Sequence, residues 1–518
     1  MSSNVPPTKP AAVETRSLGA RARGGMLWAG LSVMLTVTLQ LAFGAVMARL
    51  LDPATFGLVA MALVALRLFS YLSQIGLSMT LGAMQRQLMT DDDLRLALGV
   101  VWLASAVSVS ATLLLAPLAA GFFQKPALVP LLQVLALSLL LQALANVSIS
   151  VLRRRLRFRA LAIVEILSYT LGYGCVGVAA ALAGWGAWSL VAATLGQAAL
   201  SLLLAYLTTR HTMRPRWGSA QAGHWQYGAR HTLISFSEFL SANMDSALIG
   251  RLLGDSALGL YNRAHILVYQ PVEKAAGIFT RVLFPVVAEI QAEKAKVGSL
   301  FILGVGVIGV VAGAVSLSVS AAASEVVALL LGPKWVEAVP VVRLLALAVP
   351  VIFMSNIAGV LCDAMNLLQF KLKLQLVGMT VVLALMFGLA GHGITGIVAG
   401  LVIGETLRFA AYFVFLAPHL DYRRAVAARA LLAAAVTALM AYGAVGTAVQ
   451  FAGSYQTGLL LRLLAAALAG ALALAIGLAL LVRLLAASES GRLARANLPG
   501  WVRAERLLRA PATRGSTP

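Results

Sequence analysis

Charged residues and cysteines are both scarce in this sequence. Only 11% of its 518 residues are Asp, Glu, Lys or Arg, and 60% are apolar. Soluble domains have about 25% charged and about 45–50% apolar residues, so a purely soluble protein is excluded. The two cysteines, Cys175 and Cys362, lie far apart in apolar surroundings, which excludes a disulfide framework and a cysteine metal site. We interpret both as small buried side chains.

Motifs for catalysis and for nucleotide hydrolysis are also lacking. The six histidines are scattered, without an HxxxH pair or an acid at zinc-ligand spacing, so the sequence predicts no catalytic residue, no metal and no cofactor. Gly304, Gly306 and Gly309 spell GxGxxG, but inside an apolar run that lacks the βαβ context of a dinucleotide site. A Walker A motif is absent from the sequence. We therefore predict that the protein is not an enzyme and that any transport is driven by gradients or the membrane potential.

Long apolar segments dominate what the sequence does contain. About 14 spans of about 22 residues would use about 59% of the chain, close to its apolar fraction. The segments lack the alternation of barrel strands, which excludes a porin-type barrel. The predicted fold class is an all-α polytopic membrane protein. The predicted spans are 26–48, 56–80, 96–119, 127–151, 160–183, 187–207, 233–253, 262–284, 298–323, 340–361, 374–390, 393–416, 427–450 and 457–485.

The distribution of basic residues predicts the topology. With a cytoplasmic N-terminus, 29 of the 40 Lys and Arg residues lie on the cytoplasmic side and only 5 on the opposite side, as the positive-inside rule requires. The span 262–284 contains four charged residues and fails a simple hydropathy criterion, but its omission would reverse every later loop. We therefore predict a multi-pass protein of the bacterial inner membrane with both termini in the cytoplasm. The net charge of +21 indicates contact with membrane lipids rather than nucleic acid.

An internal repeat divides the chain. Residues 48–62 (ARLLDPATFGLVAMA) and 250–264 (GRLLGDSALGLYNRA) share Arg-Leu-Leu, Gly-Leu and Ala at the same spacing. Both segments leave an odd-numbered span, which predicts two parallel six-helix bundles around a central cavity, followed by two C-terminal helices. The predicted domains are an N-terminal cytoplasmic segment (1–25), the first bundle (26–207), a cytoplasmic linker (208–232), the second bundle (233–416), two additional helices (417–487) and a basic tail (488–518).

Charged residues inside the apolar spans are the candidate functional groups. Each costs at least about 2.5–3.5 kcal/mol at the bilayer centre, so it should face a cavity or a charged partner. Glu405 and Arg408 can pair at i,i+3, whereas Arg67 and Arg281 have no acid at i±3 or i±4. Two interpretations stay open: ion pairs that hold the bundle together, or cations that line a wet cavity for a phosphate group, with the acids as proton or cation sites.

These candidates, and two other motifs, are as follows. The cations predicted to bind substrate are Arg67, Lys274, Arg281, Arg343 and Arg408. The acids predicted to couple ions or gate the cavity are Glu165, Glu238, Asp245, Glu273 and Glu405. A stripe of small residues in the twelfth span, which predicts close helix packing, consists of Gly396, Gly400 and Gly404. The basic run at 153–159 is interpreted as a topology anchor or a headgroup-binding patch.

Short motifs accompany the repeat. The second half contains Asp245 in a helix, followed by Ile249-Gly250, Leu253-Gly254, Leu258-Gly259, Tyr261, Ala264 and Phe284-Pro285. The first half contains Leu50-Leu51-Asp52-Pro53 and Phe56-Gly57. Over about residues 20–420, this order resembles the multidrug/oligosaccharidyl-lipid/polysaccharide (MOP) superfamily, and within it the Wzx-type polysaccharide flippases.

This resemblance implies a transporter with inward-open and outward-open states. The implied substrate is an undecaprenyl-pyrophosphate-linked oligosaccharide, moved to the periplasmic leaflet for exopolysaccharide, capsule or lipopolysaccharide synthesis. As in related lipid II flippases, its pyrophosphate is expected at Arg67, Arg263, Lys274 and Arg281. Membrane lipids, a polysaccharide polymerase and chain-length machinery are expected partners.

Two alternatives to a flippase are a cation-coupled multidrug antiporter and, from another class, a membrane-embedded glycosyl- or acyltransferase. The polar pocket bottom of a drug exporter is not recognisable in the sequence. A transferase is disfavoured because the sequence lacks a sizeable extramembrane domain and a paired catalytic acid and base.

Overall fold

Helices are the regular elements in the part of the chain that the computed structural model describes: residues 32, 34–84, 91–155, 157–215, 222–454, 458–486, 488, 490 and 492. The predicted segment 1–25 lies outside this part. So does the predicted tail 488–518, except for residues 488, 490 and 492. Side chains are described for fewer positions than the backbone, with gaps at 71–84, 91–93, 97, 222–239 and several positions between 241 and 285. The predicted all-α fold class is confirmed.

The chain divides into two compact units, Met1–Asn243 and Met244–Pro518. The helices that begin in the first unit are α1 (Met34–Leu50), α2 (Pro53–Met84), α3 (Asp91–Phe123), α4 (Leu128–Arg154), α5 (Phe158–Leu167), α6 (Gly177–Leu182), α7 (Ala187–Thr209) and α8 (Ala222–Glu289). A π-helical stretch, Ser168–Val176, joins α5 to α6 within the predicted fifth span. Such a stretch has no signal in hydropathy and was not predicted.

Among the described residues, the second unit contains the larger part of α8 and seven further α-helices. These helices are α9 (Lys294–Ala321), α10 (Ala323–Leu330), α11 (Ala338–Ala364), α12 (Leu368–Gly388), α13 (Gly393–Leu420), α14 (Arg424–Ser454) and α15 (Leu459–Leu485). Helices α14 and α15 pack against α9. A Cβ atom at Gly306 would lie 2.8 Å from Leu481 Cδ1, and one at Gly309 would lie 2.8 Å from Ala434 Cβ. The GxGxxG sequence is therefore a helix-packing feature.

Eleven helical segments among the described residues are long and apolar enough to cross a bilayer, from Pro53–Ser70 to Leu459–Leu485. Each overlaps one of the predicted spans. The remaining three predicted spans correspond to α1 and to the two parts of α8. The described part of α1, Met34–Leu50, is apolar but too short to be counted among the eleven. Helix α8 is long enough, but its charged residues lower its hydropathy.

Helix α8 consists of two helices joined at Gly254. Its 68 residues would extend about 100 Å, more than three times the thickness of the hydrocarbon core. The backbone leaves helical geometry at Gly254, with φ 85° and ψ −171°. This break falls between the predicted spans 233–253 and 262–284. The helix begins at Ala222, so residues 222–232 of the predicted linker are helical; hydropathy detects only the apolar part of a helix and misses such an extension.

The break at Gly254 is equivalent, in the internal repeat, to the junction between α1 and α2 at Asp52. There the Asp52 carboxylate accepts a hydrogen bond from Thr55 N at 2.8 Å and caps α2. Flanking positions are buried in both halves, with Met47 matching Ile249 and Phe56 matching Leu258. The repeated sequence thus lies at a break between two helices in both halves.

Candidate functional site

A hydrogen-bonded acid lies beside the turn of α8 in the second unit. Tyr261 Oη donates a hydrogen bond to Asp245 Oδ2, and Ser246 N donates to Asp245 Oδ1 at 2.6 Å. Tyr261 is 1% exposed. The partners are 16 residues apart in sequence and are brought together by the break at Gly254. These two hydrogen bonds fix the position of the Asp245 carboxylate beside the turn.

A row of rings continues from Tyr261 along α8. The His265 ring lies 5.9 Å from Tyr261 and stacks on Tyr269 at 4.5 Å, and Tyr269 contacts Phe353 of α11 at 5.0 Å. The spacing of four residues places the three α8 rings on one helix face. The sequence motifs included Tyr261 but assigned no role to it or to the other rings. The i,i+4 recurrence of aromatic and imidazole side chains was the available signal.

An ion pair lies within α13 in the same unit. Arg408 Nη2 is 2.5 Å from Glu405 Oε2, and the two side chains are 14% and 5% exposed. Of the two interpretations left open by the sequence, the structure therefore supports an ion pair for Glu405 and Arg408. Their roles in coupling and substrate binding stay predictions.

The glycine stripe of α13 packs directly against α12. A Cβ atom at Gly400 would lie 2.7 Å from the Leu385 carbonyl, and one at Gly404 would lie 2.8 Å from Val382 Cα. One turn further along the same interface, the glycine is on α12 and the large side chain is on α13. A Cβ atom at Gly378 would lie 2.9 Å from the side-chain carbons of Arg408. The predicted close packing is confirmed, and the same seam of small residues holds the Arg408 side chain.

A second ion pair connects α11 to α12. Lys371 Nζ donates to both Asp363 oxygens, at 2.9 and 2.8 Å, and the side chains are partly buried. Both residues lie outside the predicted spans 340–361 and 374–390, because hydropathy detects only the apolar part of each helix. The structure extends α11 to Ala364 and starts α12 at Leu368.

In the first unit, the two candidate residues have different surroundings. Glu165 is partly buried in α5 and accepts a hydrogen bond from Ser32 Oγ at 3.1 Å. Arg67 is exposed on α2 and, among the described residues, has no carboxylate partner. It belongs to the apolar segment Pro53–Ser70. A cation in that position requires water, headgroups or an anionic ligand.

The other candidates are dispersed. Glu273 and Arg343 are exposed on α8 and α11, and Arg263 is partly buried on α8. The side chains of Glu238, Lys274 and Arg281 lie outside the described part, although their backbones belong to α8. The predicted face shared by Lys274 and Arg281 therefore stays a prediction.

The basic run at 153–159 meets the end of α7. Arg157 Nη1 donates to the Thr208 carbonyl at 3.3 Å, and His211 Nδ1 lies 2.9 Å from Thr209 Oγ1. His211 is buried. Burial, and then the positive charge of Arg155, lower the pKa of His211 below its ordinary value. The run therefore anchors the α4–α5 junction to the end of α7, while its arginines stay exposed.

The fold defines a class, that of polytopic helical membrane proteins, and charged side chains lie within its apolar helices. The lipid II flippase MurJ, in its inward closed conformation, has the same fold, with a TM-score of 0.66, 11% identity, and coverage of 88% of this chain and 99% of that chain. An inward-facing MATE multidrug resistance transporter of the MOP superfamily matches with a TM-score of 0.59 and 15% identity, and the match covers 77% of this chain and 98% of that one.

The family follows from the sequence. The chain belongs to the polysaccharide biosynthesis protein family, whose sequence model matches residues 46–340. It is 25% identical over 418 residues to the lipopolysaccharide biosynthesis protein WzxC of Escherichia coli K12, covering 79% of this chain and 84% of WzxC. The predicted Wzx-type branch of the MOP superfamily is confirmed.

Proposed function

We propose that the protein is a flippase for a polyprenyl-pyrophosphate-linked oligosaccharide in the synthesis of a cell-surface polysaccharide. The observation that carries this proposal is the family match over residues 46–340. The names of WzxC, a lipopolysaccharide biosynthesis protein, and of MurJ, a lipid II flippase, point to the same substrate class. We propose the inner membrane as the location, with both termini cytoplasmic, because the basic residues are so unequally distributed.

A flippase must supply hydrogen-bond partners that replace water around a polar headgroup while it crosses the membrane. A glycan that crosses about 30 Å of hydrocarbon unaided loses its hydrogen bonds to water without replacement. Cations can receive the pyrophosphate, and we assign this role to Arg67, Arg263, Lys274, Arg281, Arg343 and Arg408. The lipid tail stays in the bilayer throughout.

Arg67 is the best supported of these cations. It is exposed within an apolar segment and has no carboxylate partner among the described residues, so its charge is available to an anion. Arg408 differs, because its charge is balanced by Glu405 at 2.5 Å. It can bind a phosphate only if that pair opens.

We assign ion coupling or gating to Glu165, Glu238, Asp245, Glu273 and Glu405. The bond between Asp245 and Tyr261 supports this role for Asp245. The bond joins the two parts of α8 across the turn, so a change in the charge of Asp245 would act directly on that turn. Exchange of a proton or cation at Asp245 could then alter the relation of the two helices.

Complementation tests the proposal. In the organism that makes the protein, the gene is deleted and replaced by wild type, Arg67→Ala or Arg67→Lys. Loss of one charge-assisted contact to phosphate should reduce export about tenfold or more for Arg67→Ala. Arg67→Lys should retain part of the export because it keeps the charge. Surface polysaccharide and lipid-linked repeat units are measured, and the repeat units should accumulate in the deletion strain.

The control and the competing function are tested in the same strains. Lys334 lies exposed outside the apolar spans, so Lys334→Ala should export normally. A small-molecule antiporter is the second candidate, since the MATE fold matches with a TM-score of 0.59. Unchanged polysaccharide with increased dye sensitivity on gene deletion would favour the antiporter and reject the flippase.

A further inference from the structure

A lateral groove runs between α12 and α13 in the second unit, with a volume of about 340 Å³. It begins where the close glycine seam ends. Its apolar lining consists of Phe370, Leu374, Val377 and Val381 on α12 and Leu407, Ala411 and Phe415 on α13. The α12 residues recur at intervals of three and four and therefore form one helix face. Both helices are apolar enough to span a bilayer, and Val377, Leu407 and Phe415 are exposed, so the groove is open at membrane depth.

The length of the groove corresponds to one leaflet. From Phe370 to Val381 the helix rises about 17 Å, and half of the hydrocarbon core is about 15 Å thick. Phe370 is close to the start of α12 at Leu368, and its ring contacts His419 near the end of α13 at 5.1 Å. The groove thus extends from one end of this helix pair to mid-membrane depth, which suits a single acyl chain.

The net positive charge of the groove lies in its outer part. Two cations line it, Lys373 and Arg408. Arg408 is at the inner part and is balanced by Glu405. Lys373 is exposed, close to Phe370, and has no carboxylate partner within the described part of the chain. The groove therefore combines an apolar channel with one uncompensated positive charge near the helix end.

We propose that this groove binds an anionic glycerophospholipid, with one acyl chain along the α12–α13 face and the lipid phosphate on Lys373. A polyprenyl pyrophosphate fits less well for two reasons. Its chain is longer than one leaflet is thick, and its two phosphates carry more negative charge than Lys373 alone can balance. The inference is independent of the proposed function. The bound chain contacts Arg408 and Gly378 and thereby stabilises the seam that holds the Glu405–Arg408 pair.

Lipid binding is measured on the full-length protein in detergent, by native mass spectrometry with phosphatidylglycerol and with phosphatidylcholine of the same acyl chains. Phosphatidylglycerol should bind more tightly, and Lys373→Gln should weaken its binding about fivefold, the value of one interfacial lysine. Ala411→Phe should weaken both lipids, since it fills the groove without changing its charge. Lys334→Gln is the matched lysine control and should bind as wild type does.

Three results would overturn this site. Equal affinity for the two lipids would remove the role of charge. Wild-type binding of phosphatidylglycerol by both Lys373→Gln and Ala411→Phe would place the lipid elsewhere. Displacement of phosphatidylglycerol by an equimolar amount of undecaprenyl phosphate would assign the groove to a prenyl lipid instead.

Discussion

The buried pair of Glu405 and Arg408 allows a quantitative test. Its side chains are 5% and 14% exposed and its charged atoms are 2.5 Å apart. Removal of one partner of a buried pair leaves an uncompensated charge and costs about 3–5 kcal/mol. We expect Glu405→Gln and Arg408→Gln each to lower the free energy of unfolding by this amount. The double substitution should cost much less than the two single losses combined, because neither charge is then left alone.

The assay is unfolding in mixed micelles by titration with dodecyl sulfate, analysed as a double-mutant cycle. Glu293 and Lys296 provide a matched control: the same i,i+3 spacing and a distance of 2.6 Å, but side chains 54% and 44% exposed. Because exposed pairs contribute about 0–1 kcal/mol, Glu293→Gln should have little effect. Additive losses at Glu405 and Arg408, within about 0.5 kcal/mol, would show that the pair is not a coupled buried unit.

Three further predictions concern stability. Gly254→Ala should cost about 1–3 kcal/mol, because φ 85° with ψ −171° is a glycine conformation; Gly443→Ala, with open space at its Cβ position, serves as the control in thermal unfolding. Gly404→Ala should cost about 1–3 kcal/mol, since its Cβ would meet Val382 Cα at 2.8 Å, and wild-type unfolding would contradict the seam. Because the pKa of His211 is lowered in the folded protein, the unfolded state binds more protons as the pH falls below about 6.5, and stability declines there. His211→Gln should flatten the profile of unfolding temperature between pH 8 and pH 5, whereas an unchanged slope would exclude His211 as its source.

Sequence patterns predicted the positions of the helices, though not their exact ends, where apolar residues dominate. Eleven predicted spans overlap apolar helices in the described residues. Prediction was weaker for α8, where charged residues lower the hydropathy. The span 262–284 was retained there because its omission would reverse every later loop, and the break at Gly254 falls between it and the span 233–253. The π-helical stretch Ser168–Val176 was missed, since a change in backbone hydrogen bonding leaves the average hydropathy of a span unchanged.

The candidate site was predicted only in part. The Glu405–Arg408 pair was foreseeable, because residues at i and i+3 of one helix are neighbours in any fold. The pairs Asp245–Tyr261 and Asp363–Lys371 could not be derived in this way. Their partners belong to separate helical segments, and their distance depends on how the chain turns between them.

By itself, the sequence determined that this chain is a helical membrane protein with an internal repeat, and it predicts that basic residues are concentrated on one side of the membrane. These properties follow from local hydropathy, spacing and charge, which do not require knowledge of helix contacts. Tertiary structure alone decided that the Glu405–Arg408 pair is buried and that Arg408 lies over Gly378, whereas Arg67 stays exposed. The physical reason is that the cost of a charge in a bilayer depends on what the neighbouring helix places beside it, and that neighbour is set by packing.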